Sequence, residues 1–153
     1  MTKMSDQERD NFMIEVRLGN IAVSRVGKGP LLAPIWYQYV PGGTVDICTG
    51  SASAKARRFR AEGRATLSVV DPGSSGQYRY VAVEGPLTIV ELGDETREAI
   101  FAMSSRYLSV VGGKTYTDRF MKRLVTDNLH EGHGNTEVRV SIQPENWQTE
   151  ILG

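Results

Sequence analysis

Net charge, cysteine and long apolar runs are all scarce in this sequence. Its 18 Lys and Arg residues balance 18 Asp and Glu residues, so no net field is available to attract a polyanion such as duplex DNA. The single cysteine, Cys48, excludes an internal disulfide. No run of about 18 uncharged apolar residues is present, and residues 1–12 lack the apolar segment of a secretion signal. We therefore expect a cytoplasmic protein that binds neither nucleic acid nor a membrane.

The composition nevertheless predicts a chain that folds. Apolar residues make up 40% and charged residues 24% of the 153 residues, which are ordinary fractions for a globular protein. Folded domains cluster near about 100 to 150 residues. Since we find no internal repeat and no linker, we predict one domain over residues 1–153 with one core and one site.

The spacing of apolar residues and glycines predicts mostly short strands. Ser5 and Glu8 have the spacing of a capping box, and the helix that they begin is expected to reach about Leu18. Strands are then expected at 21–26, 31–40, 44–49, 64–71, 78–92 and 138–142, with a last short piece at 144–152. Further helices are predicted over 52–62, after an Asp94 cap up to about Gly112, and from Thr115 onward.

Two prolines indicate where the sheet ends or bends. Pro34 cannot donate a ladder hydrogen bond, so it marks a sheet edge or a bulge. Gly85-Pro86 interrupts the long strand and predicts a bend. Short turns favour antiparallel pairing, and about six or seven strands in a chain of this length favour a small barrel with helices at its side.

Residues 49–60 hold the clearest candidate for a ligand site. Hydroxyl groups and a glycine lie between a strand end and a helix start, where unpaired amides and the helix dipole favour an anion. Four cations are expected on two flanks of that helix, in the pairs Lys55 with Arg58 and Arg57 with Arg60. The apolar positions between the flanks are Ala52, Ala56 and Phe59. A solvated face is the alternative, but cations in a first helical turn oppose the dipole unless an anion compensates them.

Taken together, these segments resemble the pyridoxamine 5'-phosphate oxidase-like superfamily of split β-barrels, in particular its flavin and deazaflavin oxidoreductase branch. The resemblance covers about residues 14–90, with a weaker likeness at 144–147. The segments that carry it are Ile21-Ala22-Val23, Ala33-Pro34-Ile35-Trp36-Tyr37, Thr49-Gly50 with Ser53-Ala54-Lys55-Ala56-Arg57, Arg64-Ala65-Thr66-Leu67-Ser68-Val69, and Val83-Glu84-Gly85. It implies a mainly β, antiparallel, FMN-binding split barrel that forms a homodimer with its cofactor at the subunit interface.

The resemblance also implies which residues hold a phosphorylated cofactor. In the family, the lysine of a serine-x-lysine-alanine segment contacts the cofactor phosphate. The resemblance implies this role for Lys55, with Thr49 and Ser53 as hydroxyl partners and Gly50 and Ser51 in the same turn. Pro34, Ile35 and Trp36 would lie along the tricyclic ring. Many members have arginine at the position of Ala54, so Arg57 or Arg58 would have to replace it here.

We therefore predict an oxidoreductase that transfers hydride or electrons between a bound flavin or deazaflavin, FMN or coenzyme F420, and a small organic substrate. The flank of Arg57 and Arg60 slightly favours coenzyme F420, whose tail is acidic. Pyridoxamine phosphate oxidases carry basic residues at the positions of Ala33 and Gln38, so that activity is not expected. The alternatives are a non-catalytic carrier of flavin or haem and a barrel that binds another protein without a cofactor.

The remaining candidates for chemistry receive structural roles. Cys48 is expected to be a small buried apolar residue. Trp36, Tyr37 and Tyr39 cannot all touch one ligand, because successive strand residues face opposite ways, so core or interface packing is an equal alternative for each. His130 and His133 lie in a predicted loop without the spacing of a metal site, so we expect alanine at either position to leave the fold and cofactor binding unchanged.

Overall fold

The computed structural model describes residues 2–73, 76–108, 112–126 and 137–153. The predicted loop with His130 and His133 lies outside these ranges. The helices in the described ranges are α1 (Asp6–Ile14), α2 (Ala54–Glu62), α3 (Thr96–Arg106) and α4 (Gly113–Thr126). The strands are β1 (Gly19–Arg25), β2 (Lys28–Ile35), β3 (Gln38–Tyr39), β4 (Val45–Gly50), β5 (Arg64–Pro72), β6 (Tyr78–Glu91), β7 (Glu137–Ile142) and β8 (Asn146–Leu152). None of these helices is long and apolar enough to cross a membrane.

The eight strands form one open antiparallel sheet. Their order is β2-β1-β5-β6-β7-β4-β3, and β8 also pairs with β6. The long strand β6 joins the two halves, because its first part pairs with β5 and β8 and its last part, from Leu87 to Glu91, pairs with β7. This open sheet with four flanking helices confirms the predicted split β-barrel.

Strand alternation places the core where the sequence predicts it. Along β5, Ala65, Leu67 and Val69 are buried, and along β7 the buried residues are Val138, Val140 and Ile142. The prediction for Pro34 is also confirmed, since β2 lies at one end of the sheet order.

The predicted bend at Gly85-Pro86 is the point where β6 changes partners. A Cβ atom on Gly85 would lie 1.8 Å from the carbonyl oxygen of Gln143. Hydrogen bonds on both sides hold that approach, from Gln143 N to Pro86 O at 2.9 Å and from Glu145 N to Glu84 O at 2.9 Å. The connection from β7 to β8 therefore crosses β6 at a position that needs glycine.

The helix ends differ from the predicted ones. Ser5 and Glu8 form the predicted capping box, but α1 ends at Ile14 rather than Leu18 because Glu15 is extended. The side chain of Arg17 caps α1 instead, donating to the Phe12 carbonyl at 3.0 Å while pairing with buried Asp71 at 3.3 Å. These contacts place Leu18 outside the helix.

The bounds of the other helices also differ from the predicted ones. Ser53 caps α2, which begins at Ala54, so Ala52 is exposed and only Ala56 and Phe59 of the predicted apolar stripe are buried. A short 3-10 turn over Gly93–Glu95 precedes α3, which begins at Thr96 and ends at Arg106 rather than near Gly112. The residue in its N-cap position is Glu95 rather than Asp94, and the Glu95 side chain makes no capping hydrogen bond. The helix α4 begins at Gly113, before Thr115.

Candidate functional site

The predicted phosphate turn is built by the end of β4 and the start of α2. The Ser53 hydroxyl caps α2 by accepting a hydrogen bond from Ala56 N at 3.0 Å, and it lies 3.2 Å from the Thr49 hydroxyl. Ser53 N also donates to Gly50 O at 2.9 Å, which closes the turn. Lys55 follows in the first turn of the helix, where unpaired amides favour an anion.

A cleft of about 510 Å³ opens beside this turn. Six of the predicted site residues line it: Pro34, Ile35, Trp36, Thr49, Gly50 and Lys55. It is also lined by residues that the sequence did not indicate: Leu18, Cys48, Ile100, Met103, Gly112, Gly113 and Glu137. The structure thus brings β2, β4, α2, α3 and the starts of α4 and β7 to one place.

Four predicted site residues do not line the cleft, namely Ser51, Ser53, Arg57 and Arg58. Ser53 serves as the helix cap, and the Ser51 hydroxyl donates to Glu91 at 2.8 Å. Arg57 donates to the Ala52 carbonyl at 2.9 Å. Arg58 donates to the Ser24 carbonyl at 3.1 Å and pairs with Glu62, which ties α2 to β1.

The second basic flank is likewise engaged with the protein. Arg60 donates to the Ser51 carbonyl at 2.9 Å and pairs with Glu91 on β6. The hydrogen bonds from Arg60 and Ser51 hold the pKa of the Glu91 carboxyl below its ordinary value. The charge of Arg60 is therefore already compensated where the acidic tail of coenzyme F420 was predicted to bind.

Lys55 differs from these arginines. Among the described residues, none forms a hydrogen bond or an ion pair with its ammonium group. The adjacent Gly50 leaves open space, because a Cβ atom there would meet nothing within 4 Å. An ammonium group, the Thr49 hydroxyl and an open glycine are the chemistry that a phosphate group needs.

Glu137 brings a carboxyl group into the same cleft. It is partly buried at the start of β7, where it pairs in register with Gly50. Burial raises the pKa of Glu137 to about 7, while the positive charge of Lys55 acts in the opposite direction. A carboxyl group with this pKa can take up or release a proton near neutral pH.

Cys48 lies on the cleft side of β4 rather than in the core. It is partly buried, whereas its neighbours Ile47 and Thr49 are buried. Burial first, and then the charge of Glu137, raises the pKa of the thiol to about 11. The thiol is neutral at physiological pH, as expected for a structural cysteine.

The three aromatic residues of the 36–39 segment have different roles. Trp36 lines the cleft and stacks on Tyr107, with ring centroids 4.9 Å apart and planes 5° from parallel. The Tyr107 hydroxyl accepts from Tyr37 N at 3.0 Å and donates to the Arg17 carbonyl at 2.9 Å. Tyr37 is fully buried and Tyr39 is 7% exposed, so core packing is confirmed for these two. The indole of Trp36 thus packs against Tyr107, the residue that follows α3.

Comparison with solved structures confirms the fold-level resemblance. A conserved hypothetical protein of Mycobacterium tuberculosis is 24% identical, with 95% of this chain and 84% of that one covered and a TM-score of 0.64. A protein named F420 reductase is 18% identical over 91% of this chain and 94% of that one, with a TM-score of 0.65. An FAD-binding protein of Mesorhizobium loti is 17% identical over 99% of this chain and 98% of that one, with a TM-score of 0.63. No protein-family model and no curated protein matches the chain. At these identities the likeness shows a common fold, which is the predicted one.

Proposed function

We propose that this chain binds a phosphorylated flavin or deazaflavin in the cleft and uses it to transfer hydride or electrons to or from a small organic molecule. The observation that carries the proposal is the position of Lys55. Its ammonium group, without an ion-pair partner among the described residues, stands in the first turn of α2 beside the Thr49 hydroxyl and an open glycine. Solved structures of the same fold include proteins named F420 reductase and FAD-binding protein, which supports a ligand of this class.

The remaining lining residues suit a planar ring. Ile35, Trp36, Ile100 and Met103 supply apolar surface, and ligand sites combine such walls with a few polar groups that fix orientation. When bound, the ring supplies the two-electron chemistry, while the chain supplies binding, orientation and exclusion of water. Lys55 and Thr49 would hold the phosphate, and Pro34, Ile35 and Trp36 would lie beside the ring.

Both FMN and coenzyme F420 meet these requirements. Each carries a phosphate and a tricyclic ring, so both fit a site defined by Lys55 and the apolar wall. The proposed binding of an acidic tail by Arg57 and Arg60 requires those side chains to exchange their contacts with Ala52, Ser51 and Glu91. We also propose that two chains form a homodimer with the cofactor at their interface.

Titration of the apo-protein tests the proposal. FMN and coenzyme F420 are added separately and followed by absorption and fluorescence, with riboflavin as the matched ligand that lacks a phosphate. A charge-assisted phosphate contact is worth about 1.5 to 3 kcal/mol, so FMN is expected to bind about 10- to 150-fold more tightly than riboflavin if FMN is the cofactor. If neither FMN nor coenzyme F420 binds, the proposal is wrong.

A second measurement separates an oxidoreductase from a carrier. The bound cofactor is reduced and then mixed with electron-poor quinones or nitroaromatic compounds. If the protein is an oxidoreductase, these compounds reoxidise the bound cofactor faster than they reoxidise the free cofactor in solution. A protein that binds the cofactor but never accelerates its reoxidation is the carrier alternative.

A further inference from the structure

The cleft contains one charge of each sign among the described residues. Lys55 and Glu137 are the charged side chains that line it. Glu137 pairs in register with Gly50, and Lys55 is the second residue of the helix that follows Gly50 after one short turn. Both charges therefore flank the Thr49-Gly50 turn at which a phosphate would bind. The positive charge of Lys55 favours the ionised form of the carboxyl and so acts to lower its pKa.

Other titratable and charged groups stand on the strands of this part of the sheet. On β4, opposite β7, the Cys48 thiol is neutral at physiological pH, since its pKa is about 11. On β6 the carboxylate of Glu91 is bound by Arg60 and Ser51. The next charged side chain of β7 itself is Arg139, which pairs in register with Cys48.

Among the described residues, the helices add no charged residue to the lining of the cleft besides Lys55. The cleft-lining residues of α3 are Ile100 and Met103, which are apolar, and α4 begins at Gly113. The first charged residue of α4, Lys114, is paired with Asp118 at 2.6 Å. The positive charge of Lys55 opposes the rise in the pKa of the Glu137 carboxyl that burial causes.

We propose that Glu137 sets the charge that the cleft accepts, by taking up a proton whenever an anionic phosphate group binds beside Lys55. The proposal rests on the proposed function, because it assigns a phosphate to this cleft. An ionised Glu137 would cancel the charge of Lys55 and repel the phosphate. A protonated Glu137 leaves the charge of Lys55 uncompensated and offers an O–H donor to a phosphate oxygen.

Burial makes this proton exchange possible near neutral pH, because it raises the pKa of Glu137 in the free protein to about 7. A bound anion raises it further, so the bound form carries more protons than the free form above that pH. By linkage, the affinity for the phosphate is highest below the pKa of Glu137 in the free protein. Above that pKa the affinity falls as pH rises, by at most about tenfold per pH unit. The second ionisation of a phosphate, near pH 6, has the opposite effect and is nearly complete by about pH 7.5.

Calorimetric titration measures the coupled proton directly. FMN, with coenzyme F420 in parallel, is titrated at about pH 8 in two buffers of different ionisation enthalpy. The parent protein is expected to take up about 0.5 to 1 proton per ligand bound, and its Kd should rise about 5- to 20-fold between about pH 7 and pH 8.5. Riboflavin, which has no phosphate, should bind without this uptake.

Two variants assign the proton to one residue. Glu137→Gln keeps the size of the side chain but cannot ionise, so proton uptake should disappear and binding at about pH 8.5 should become about 5- to 20-fold tighter than in the parent. Glu137→Asp keeps an ionisable group and should retain the uptake. Glu145→Gln is the control, because it removes an exposed carboxylate that pairs with Arg64 away from the cleft.

The outcomes distinguish the two proposals. If the parent binds a cofactor with no proton uptake, or if Glu137→Gln takes up as many protons as the parent, the role of Glu137 is wrong while the proposed function stands. If the parent binds neither FMN nor coenzyme F420, both proposals fail.

Discussion

Lys55 and the three arginines of α2 share one short helix, but their charges have different surroundings. Arg58 and Arg60 each pair with a carboxylate, and Arg57 donates to a carbonyl oxygen of the preceding turn. Lys55 has no such contact among the described residues and faces the cleft. The basic run of the sequence therefore contains both structural cations and one cation that suits a ligand.

The first prediction concerns this difference. Lys55→Ala should weaken cofactor binding about 10- to 150-fold, since a charge-assisted contact to phosphate is worth about 1.5 to 3 kcal/mol. The thermal stability of the apo-protein should be unchanged or slightly higher, because alanine is the better helix former and the change removes a cation from the positive end of the helix dipole. Titration with FMN and coenzyme F420, alongside thermal melts, gives both quantities.

The matched control is Lys28→Ala, which removes an exposed lysine at the start of β2. It removes the same charge without touching the cleft, so both binding and stability should stay within about 0.5 kcal/mol of the parent. If Lys55→Ala binds both cofactors as well as this control does, the phosphate site lies elsewhere.

At the scale of single elements, the crossing at Gly85 makes a second prediction. Gly85→Ala would place a methyl group against the Gln143 carbonyl, at a separation of 1.8 Å before any adjustment. The obstacle is a backbone that is hydrogen-bonded on both sides of the contact, so it cannot move aside easily. We expect a loss of about 3 kcal/mol or more in the free energy of unfolding, measured by denaturant titration.

Gly29→Ala is the control for the backbone contribution. Gly29 also lies in a strand, β2, but a Cβ atom there would meet nothing within 4 Å. Its substitution should be neutral or stabilising by up to about 1 kcal/mol, because alanine restricts the unfolded chain. Equal stability of the two variants would show that the contact with Gln143 is not rigid.

The sequence predicts those strands and helices whose pattern of apolar residues is local. It does not predict where the helices α1 and α2 begin or end when contacts with other residues decide it. The alternation in β5 and β7 indicates their buried faces directly, since residue spacing alone determines which side a strand residue takes. The end of α1 depends on Arg17, whose partner Asp71 lies 54 residues away. The start of α2 depends on which hydroxyl caps it, and both Ser51 and Ser53 are possible from sequence.

The same division applies to the site. Pro34, Ile35, Trp36, Thr49, Gly50 and Lys55 come from two compact segments that the family resemblance covers, and the structure places them in one cleft. Glu137 enters the cleft because β7 pairs with β4 in a register that sets it opposite Gly50. Its place in an alternating strand indicates that it faces away from Val138, Val140 and Ile142, but nothing nearby indicates what it faces.

At the scale of the whole molecule, the fold restricts the function without choosing it. Solved structures that share this fold at 17 to 24% identity include proteins named as an F420 reductase and an FAD-binding protein, so the sheet itself does not select the ligand. Selection must come from the side chains in the cleft. Among the described residues, the charged side chains that line the cleft are Lys55 and Glu137, which have opposite signs.

The last prediction is that the protein acts as a dimer of twice the 16.9 kDa chain, with cofactor sites that include groups from both copies. Large apolar side chains are exposed in the single chain, among them Leu18, which lines the cleft, at 48%, Phe101 at 56% and Leu108 at 47%. Burying such surface favours association. Sedimentation equilibrium at micromolar concentration should give the dimer mass. Because a shared site forms only in the dimer, dilution below the dimer dissociation constant should weaken cofactor binding, and added cofactor should strengthen the dimer by the same coupling free energy. A strictly monomeric protein that still binds cofactor tightly, with an affinity independent of protein concentration, would show that one chain forms the complete site.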